Sequence, residues 1–437
     1  MKRTWNLLAG LLSLVALVVL ALGLVWLFGT VKEGTPVGQQ VSPIETPTQP
    51  RPTPMPGPTA RLTPTIPPVP TSLPTPVVTP IPVAAPPFIP GIEDKPPQPY
   101  KIVVRMENTL WVVNNDGTDR RMLIDTEKEL SLLLGYNPLP EPRIGWGSTS
   151  PDGNKLALVL SKQALTKEEA HSLRHHIYLL DIDTGYCSLL VEDGTEPVWS
   201  PDGKRIAYQS SNLGLWIVDI ATRTTREIFP VEKGYEATGF AWSPNGQKIA
   251  FLNKVASLGG TPEMLVVNTD STGKAVQLIP QAGYYFGGAV WSPDGKRILY
   301  GSSAGDYTGP EIPGNLWMMN ADGSHQVQLT KDVQIVEASL SPEGAWVAFS
   351  GTRYYEEPGY PYDLWLISSN GGRLQRLTQD PVSDHYPYWS PDGTQIIFQR
   401  AEQGIWTINL SNGNLKQAYP GKRGVSYYDM AILGRSK

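Results

Sequence analysis

The fold is decided by the stretch Trp199-Ser200-Pro201-Asp202-Gly203-Lys204-Arg205-Ile206-Ala207-Tyr208. Proline fixes φ at the second position of a type I turn, aspartate accepts the next position, and glycine takes the left-handed conformation that ends a hairpin loop. The run after the turn has the length and the β-branched and aromatic composition of a strand. The stretch therefore predicts two paired strands joined by a tight turn.

This block occurs six times, and its serines are spaced 50, 43, 49, 49 and 49 residues apart. Two further apolar runs with a turn signal between them follow each copy, which gives four short strands per repeat. That period indicates a β-propeller, in which the tryptophan before the serine fills the space between neighbouring sheets. The residues predicted to form the repeated turns are Pro151, Asp152, Gly153, Pro201, Asp202, Gly203, Pro244, Gly246, Pro293, Asp294, Gly295, Pro342, Gly344, Pro391, Asp392 and Gly393.

The number of blades follows from the number of strands. Six first strands are followed by their partners, but the set of three runs over residues 101–124 has no first strand before it. The last strand-like run, residues 424–433, has no partners after it. Pairing the two ends would close the ring and remove its open edges. The sequence thus predicts an all-β, seven-bladed β-propeller over residues 100–437, with six or eight blades as alternatives.

The N-terminal region has the pattern of a membrane anchor. Residues 5–29 contain no charged side chain, and at about 1.5 Å per residue they are long enough for a hydrocarbon core of about 30 Å. Lys2 and Arg3 precede the run, so the positive-inside rule places residues 1–4 in the cytoplasm and the remainder outside. We expect one uncleaved transmembrane helix, a signal-anchor, in the cell membrane; a cleaved signal peptide is the alternative.

A proline-rich segment separates this anchor from the repeats. Residues 34–99 contain 22 prolines among 66 residues, with threonine as a frequent neighbour. Proline removes backbone donors and favours extended geometry, so the segment cannot form a helix or a sheet. We expect a disordered linker that acts as a spacer.

Charge and cysteine content exclude several classes of protein. The formal net charge is −5 in 437 residues, whereas a nucleic-acid-binding protein usually shows a basic excess. The single cysteine, Cys187, excludes a disulfide framework and cysteine-based metal clusters. No pattern in the sequence predicts a cofactor.

The Trp199–Tyr208 type of block resembles the WD-like repeats of TolB-like proteins and the propellers of prolyl-oligopeptidase and dipeptidyl-peptidase relatives. The resemblance covers residues 100–437 and implies a β-propeller. For the TolB-like family it implies a protein-binding scaffold of the bacterial cell envelope. We expect neither the N-terminal domain of TolB nor a peptidase domain in this chain.

Two stretches allow a catalytic or a metal site, but a structural interpretation is favoured for both. Residues 301–305 match the Gly-x-Ser-x-Gly nucleophile elbow, but no helix pattern follows, so a loop between strands is expected. In the insertion 161–176, residues 165–170 predict a short helix that would place His171 and His175 on one face, and His176 is adjacent. A solvated helix is favoured over a metal site.

Residues 114–119 and 181–185 are rich in Asp and Asn and faintly resemble calcium loops. Neither has the length or the terminal glutamate of an EF-hand, and both lie where a hairpin turn is expected. We therefore predict structural turns at both places and no metal site.

Aromatic residues are concentrated in the connections that should share one face of the propeller. Exposed tyrosines provide contact area at a low entropic cost, together with a hydroxyl group. We therefore predict a ligand face for an envelope protein, a peptide or a glycan; the alternative is that these rings pack the loops together. The candidate residues are Tyr284, Tyr285, Phe286, Tyr307, Tyr354, Tyr355, Tyr360, Tyr362, His385 and Tyr386.

Two functional classes are compatible with these sequence features. The first is a non-enzymatic, monomeric binding scaffold anchored in the membrane. The second is a propeller enzyme, such as a glycosidase, a lyase or another hydrolase, which would gather acidic groups, histidine or metal around the channel. The starts of the first strands contain only scattered acids, so the scaffold is favoured and no catalytic residue is predicted.

Overall fold

Repeated turn signals and short apolar runs produce a protein built from strands. The computed structural model describes residues 89, 96–106, 109–125, 144–163, 173–255, 262–270, 274–279, 288–303, 314–331, 333–352, 361–422 and 429–433. In these ranges every regular element is a β-strand. No helix in this part of the chain is long and apolar enough to cross a membrane, and the predicted anchor lies outside it.

The strands form seven four-stranded sheets, the blades. The strands of the first three blades in chain order are β1 (Lys101–Met106), β2 (Thr109–Asn114), β3 (Arg121–Asp125), β4 (Ile144–Thr149), β5 (Lys155–Gln163), β6 (Leu173–Asp181), β7 (Cys187–Val191), β8 (Gly194–Trp199), β9 (Arg205–Ser210), β10 (Leu215–Asp219) and β11 (Thr225–Phe229).

The remaining strands are β12 (Tyr235–Trp242), β13 (Lys248–Val255), β14 (Glu263–Asn268), β15 (Ala275–Ile279), β16 (Val290–Trp291), β17 (Arg297–Ser303), β18 (Gly314–Asn320), β19 (Val327–Gln328), β20 (Gln334–Leu340), β21 (Trp346–Thr352), β22 (Asp363–Ser368), β23 (Gln375–Arg376), β24 (Asp384–Trp389), β25 (Gln395–Arg400), β26 (Gly404–Asn409), β27 (Leu415–Pro420) and β28 (Asp429–Leu433).

Blade 1 is β28-β1-β2-β3, and blades 2 to 7 each contain four consecutive strands, β4–β7 to β24–β27. Within a blade we name the strands A to D in sheet order; the A strands of blades 1 to 5 contact their neighbours in sequence, as do those of blades 6 and 7. All strand pairs are antiparallel, so the A–B and C–D turns share one face of the disc, the turn face. The B–C and D–A connections share the other, the loop face.

The two ends of the ring pair as the strand count predicts. β28 is antiparallel to β1, with Ile432 opposite Ile102 and Met430 opposite Val104. Met430 is 2% exposed and packs in a core cluster with Tyr419 of blade 7. The seven-bladed count and the role of the C-terminal run as the missing A strand are therefore confirmed.

The repeated turns have the predicted chemistry. In blade 3, Ser200 Oγ donates to Asp202 Oδ1 and accepts the N–H of Arg205 at 2.9 Å. Gly203 N–H donates to the Ser200 carbonyl at 2.9 Å, and its φ of 68° requires the left-handed conformation that favours glycine. The corresponding glycines of all six turns have φ between 68° and 75°. The serine thus stabilises the turn, and the glycine permits its geometry.

The tryptophan before the serine links neighbouring blades. Trp291 of blade 5 is 8% exposed and its indole N–H donates to the carbonyl of Ala241 in blade 4 at 3.1 Å. Trp242 and Trp389 make the same bond to Val198 and Ser339 of their preceding blades. Each ring therefore fills the gap between two sheets, as predicted, and also fixes their relative position.

The end of the proline-rich segment packs on the propeller. Ile89 is 1% exposed and belongs to the core cluster that contains Trp389 and Phe398 of blade 7. The Gln98 N–H donates to Asp392 Oδ2 at 2.7 Å, and the Tyr100 hydroxyl donates to Gln395 Oε1 at 3.1 Å. We call Ile89 and residues 96–100 the docked segment. It has no regular secondary structure, but part of the predicted spacer belongs to the folded unit.

Candidate functional site

Three of the ten predicted ligand-face residues lie in the described part of the chain. Tyr362 precedes β22 of blade 6, and His385 and Tyr386 lie in β24 of blade 7, at the loop face. The Tyr362 and His385 ring centroids are 5.1 Å apart, and those of His385 and Tyr386 are 6.2 Å apart. The structure thus brings these three rings together.

The other seven candidates lie outside the described residues. They are Tyr284, Tyr285, Phe286, Tyr307, Tyr354, Tyr355 and Tyr360.

A carboxylate that the sequence did not single out adjoins the three rings. Glu337 lies in β20, the A strand of blade 6. Its Oε2 accepts the Tyr386 N–H at 3.4 Å and is 3.9 Å from His385 Nδ1. The Glu337 side chain is 21% exposed, so the group is reachable from solvent. We call Glu337, Tyr362, His385 and Tyr386 the loop-face cluster.

A buried network of ion pairs adjoins this cluster. Asp384 precedes His385 and is completely buried. Arg400 Nε lies 2.9 Å from Asp384 Oδ1, and Arg400 Nη2 lies 2.9 Å from Asp384 Oδ2. The same Nη2 lies 2.6 Å from Asp380 Oδ2. Burial raises the pKa of Asp384, and the Arg400 guanidinium opposes that effect. Such bidentate pairs fix orientation, so β24 is held firmly beside β25.

A second buried pair lies one blade earlier. Asp363 begins β22, is 3% exposed and accepts a hydrogen bond from Arg376 on Oδ2. Its Oδ1 has no hydrogen-bond partner within the described residues. Burial raises the pKa of Asp363 to about 7, in spite of Arg376. This carboxylate is therefore kept in an environment that disfavours its charge.

The backbone at the cluster is strained. Tyr386 has a φ of 52°, in the left-handed region that L side chains seldom adopt. The corresponding positions of blades 3, 4 and 5, four residues before the repeat serine, are Glu196, Gly239 and Gly288, with φ of 51°, 66° and 121°. A bulky residue is thus present where glycine would relieve strain of about 1–3 kcal/mol.

The other sequence candidates have structural roles in the described part of the chain. His175 and His176 belong to β6, so the insertion does not extend to 176, and alternating strand faces separate the two side chains. His175 Nδ1 is 2.8 Å from Ser161 Oγ of the paired strand, and His171 and the predicted helix 165–170 lie outside the described residues. The expected loop at 301–305 is wrong for Gly301–Ser303, which continue β17 because they pair with β18.

Both calcium-like stretches form C–D turns, as predicted. Asp116 Oδ1 accepts the N–H and hydroxyl of Thr118, and Asp181 Oδ1 accepts those of Thr184. These bonds lower the pKa of Asp181 to about 2. Within the described ranges, no three His, Cys, Asp or Glu side chains are grouped so that they could hold a metal ion.

Comparison with known proteins agrees with this architecture. Residues 240–418 match the TolB beta propeller domain family. The Tol-Pal system protein TolB of Anaeromyxobacter dehalogenans (strain 2CP-C) is 30% identical over 99 residues, which cover 21% of this chain and 21% of that protein. The match thus spans about a fifth of the length of this curated relative.

Solved structures with the same fold include two oligogalacturonate lyases. A lyase in complex with manganese has a TM-score of 0.52 and 14% identity, over 74% of this chain and 85% of that chain. The lyase from Vibrio parahaemolyticus has a TM-score of 0.50 and 13% identity, over 74% and 86% of the respective chains. At this identity the likeness shows the fold alone. Together, the repeat turns and the ring closure show a seven-bladed β-propeller, and residues 240–418 of it are similar to the TolB beta propeller domain.

Proposed function

We propose that this chain is a non-enzymatic binding scaffold of the cell envelope. Residues 5–29 anchor it in the membrane, with residues 1–4 in the cytoplasm, and the proline-rich linker holds the propeller on the extracytoplasmic side. The propeller is monomeric and binds an envelope protein, a peptide or a glycan on its loop face. The TolB-like propeller supports this role, because TolB is named as a protein of the Tol-Pal system.

The loop-face cluster is the observation on which the binding role depends. Three aromatic rings and one carboxylate meet at the junction of blades 6 and 7. Rigid aromatic side chains with polar ends are enriched at binding hot spots because they offer area at a low entropic cost. The buried Asp384–Arg400 pair holds β24, so the cluster is already organised before a ligand arrives.

Capture experiments test this proposal. The full-length protein, in detergent, is crosslinked to envelope extract, and captured proteins are identified by mass spectrometry. The variants Tyr362→Ala and Tyr386→Ala should lose most of the captured partner. Tyr186→Ala is the matched control, since Tyr186 is 71% exposed but lies in a C–D turn on the opposite face.

Unchanged capture by both loop-face variants would contradict the proposal. Turnover of oligogalacturonate or of chromogenic glycosides by the purified protein would instead favour the propeller-enzyme alternative. The anchor is tested separately: deletion of residues 1–33 should move the protein from the membrane fraction to the soluble fraction.

A further inference from the structure

Two glutamates occupy the same place in different blades. Glu196 and Glu337 each stand four residues before a repeat serine, in the A strands of blades 3 and 6. Each carboxylate reaches the A strand of the following blade. The sequence position is the same, but the backbone differs, because Glu196 has a φ of 51° at the bulge of β8, whereas Glu337 pairs with Ser350 of β21.

The Glu196 carboxylate is fully engaged by blade 4. The Thr238 hydroxyl lies 2.6 and 2.7 Å from its two oxygens, and the Gly239 N–H donates to Oε2 at 2.9 Å. These are short, charge-assisted hydrogen bonds. This glutamate therefore joins two blades.

The Glu337 carboxylate has weaker partners at the corresponding positions. Blade 7 has His385 and Tyr386 where blade 4 has Thr238 and Gly239. The Tyr386 N–H is 3.4 Å from Oε2, and His385 Nδ1 is 3.9 Å away, beyond hydrogen-bond distance. Blade 7 thus leaves this carboxylate only partly satisfied.

Position 386 has a tyrosine, although its backbone conformation favours glycine. Its φ of 52° would suit glycine, which blade 4 has at the corresponding Gly239. Strained positions of this kind persist where the side chain has a use. The Tyr386 ring lies beside His385, whose ring is also close to that of Tyr362, so three aromatic rings lie together at the blade junction that contains the carboxylate.

The junction also has an excess of negative charge. Asp380 and Asp384 share the guanidinium of Arg400, and Asp363 pairs with Arg376, whereas Glu337 has no arginine or lysine partner among the residues that the structure describes. Arg400 donates its hydrogen bonds to Asp380 and Asp384, so it does not neutralise Glu337. A carboxylate beside aromatic rings is the arrangement that stabilises a cation by ion pairing and by cation–π attraction.

We infer that the loop-face cluster binds a basic side chain, arginine or lysine, of a protein partner. Glu337 pairs with the cation, and the rings of Tyr362, His385 and Tyr386 lie around it. This inference rests on the proposed function, because it names the chemistry of the partner that the loop face binds.

The test uses a pair of peptides that differ only in charge. Full-length protein is titrated by calorimetry with Ac-Gly-Gly-Arg-Gly-Gly-NH2 and with the same peptide containing citrulline, which keeps the shape of arginine and removes its charge. We expect saturable binding of the arginine peptide, with Kd about 1 mM or below, and at least about tenfold weaker binding of the citrulline peptide. Glu337→Gln should abolish the difference.

Two further variants separate binding from folding. Glu196→Gln is the matched control: it should lower the melting temperature but keep the preference for the arginine peptide. Tyr386→Gly relieves the positive φ but removes a ring that packs against the core cluster of Ile102 and Ile405, so its melting temperature is measured beside its binding; at a temperature where it is fully folded, it should bind the arginine peptide more weakly.

Equal binding of the two peptides, or no saturable binding of either at millimolar concentration, would overturn the inference. The same holds if Glu337→Gln retains the full preference. Suppose that Tyr362→Ala reduces capture of a partner but Glu337→Gln does not. The proposed binding function would then be supported, and only the inference that the partner contributes a basic side chain would be contradicted.

Discussion

Asp384 and Arg400 form a buried, two-point ion pair. Arg400 Nε lies 2.9 Å from Asp384 Oδ1 and Nη2 lies 2.9 Å from Oδ2, while Asp384 is 0% exposed. The Asp384 carbonyl also accepts the hydroxyl of Ser350 from blade 6 at 2.7 Å. The pair thus connects the first two strands of blade 7, and the hydrogen bond from Ser350 links the backbone of Asp384 to blade 6.

Arg400→Met should destabilise the protein by about 3–5 kcal/mol, because it leaves the carboxylates of Asp384 and Asp380 near each other without their cation. Urea denaturation at neutral pH measures this change in the free energy of unfolding. The double variant Arg400→Met/Asp384→Leu should recover part of the loss, since it removes the unpaired charge. A loss of less than about 1 kcal/mol for Arg400→Met would contradict the buried pair.

Asp363 should make stability depend on pH in the direction opposite to most aspartates. Burial raises its pKa to about 7, so between about pH 4 and pH 7 the native state holds a proton that the unfolded chain has released. Its contribution to stability is therefore present at the lower pH and is lost as the pH rises towards 7. We expect wild type to lose stability relative to Asp363→Asn across this window, by about 1–4 kcal/mol.

Urea denaturation of both proteins at several pH values checks this slope. Asp294→Asn is a useful control, because the Ser292 hydroxyl, together with the Lys296 N–H, lowers the pKa of Asp294, which gives the opposite sign and an effect confined to acid pH. A constant difference between wild type and Asp363→Asn would show that Asp363 is ionised in both states throughout the window.

The docked segment should contribute to stability through one backbone donor. Gln98→Pro removes the N–H that donates to Asp392 Oδ2, and proline is compatible with the neighbouring Pro97 and Pro99. We expect a loss of about 1–2 kcal/mol for Gln98→Pro, because the bond has a charged acceptor. Gln98→Ala keeps the N–H and should cost less than about 0.5 kcal/mol. Equal stability of the two variants would show that the bond is absent in solution.

The propeller could be predicted from the sequence because its main signals are local. Each serine, proline and glycine of the repeat determines a turn within five residues, and Ser200, Asp202 and Gly203 make the bonds that those residue types favour. Regular spacing then gives the blade count, and the unpaired runs at the two ends predict the pairing of β28 with β1.

The chemistry of the loop face could be predicted only in part, because it depends on contacts between distant residues. Tyr362, His385 and Tyr386 were found from the strand order, whereas Glu337 lies 49 residues before Tyr386 and meets it only because two blades are adjacent. The repeat did offer a signal, since Glu337 and Glu196 occupy the same position. Ile89 was assigned to the spacer because no local pattern distinguishes an isoleucine that docks on blade 7.

Ring closure by the last strand should be essential for cooperative unfolding. Deleting residues 429–437 removes β28 and leaves β1 as an exposed edge beside blade 7. We expect a loss of at least about 3 kcal/mol, since Met430 and its core contacts are lost together. Thermal unfolding followed by tryptophan fluorescence measures this. Deletion of residues 434–437, beyond the strand, is the control, and identical melting of the two truncated proteins would contradict the closure.

Two tryptophans at the same repeat position allow the inter-blade hydrogen bond to be measured against a matched background. Trp291 donates its indole N–H to Ala241, whereas the indole N–H of Trp199 has no hydrogen-bond partner among the residues that the structure describes. The rings are 8% and 7% exposed, so replacing either with phenylalanine removes a similar amount of buried surface. The difference between the variants therefore reports mainly the bond.

Trp291→Phe should lower the free energy of unfolding by about 1 kcal/mol more than Trp199→Phe does, or by a larger difference. Trp291→Phe leaves the Ala241 carbonyl without its donor, whereas Trp199→Phe removes a buried donor that is already unsatisfied. Urea denaturation of both variants and of wild type measures the two costs. If Trp199→Phe were the more destabilising, the filling of the gap between sheets, rather than the hydrogen bond, would determine the contribution of this position.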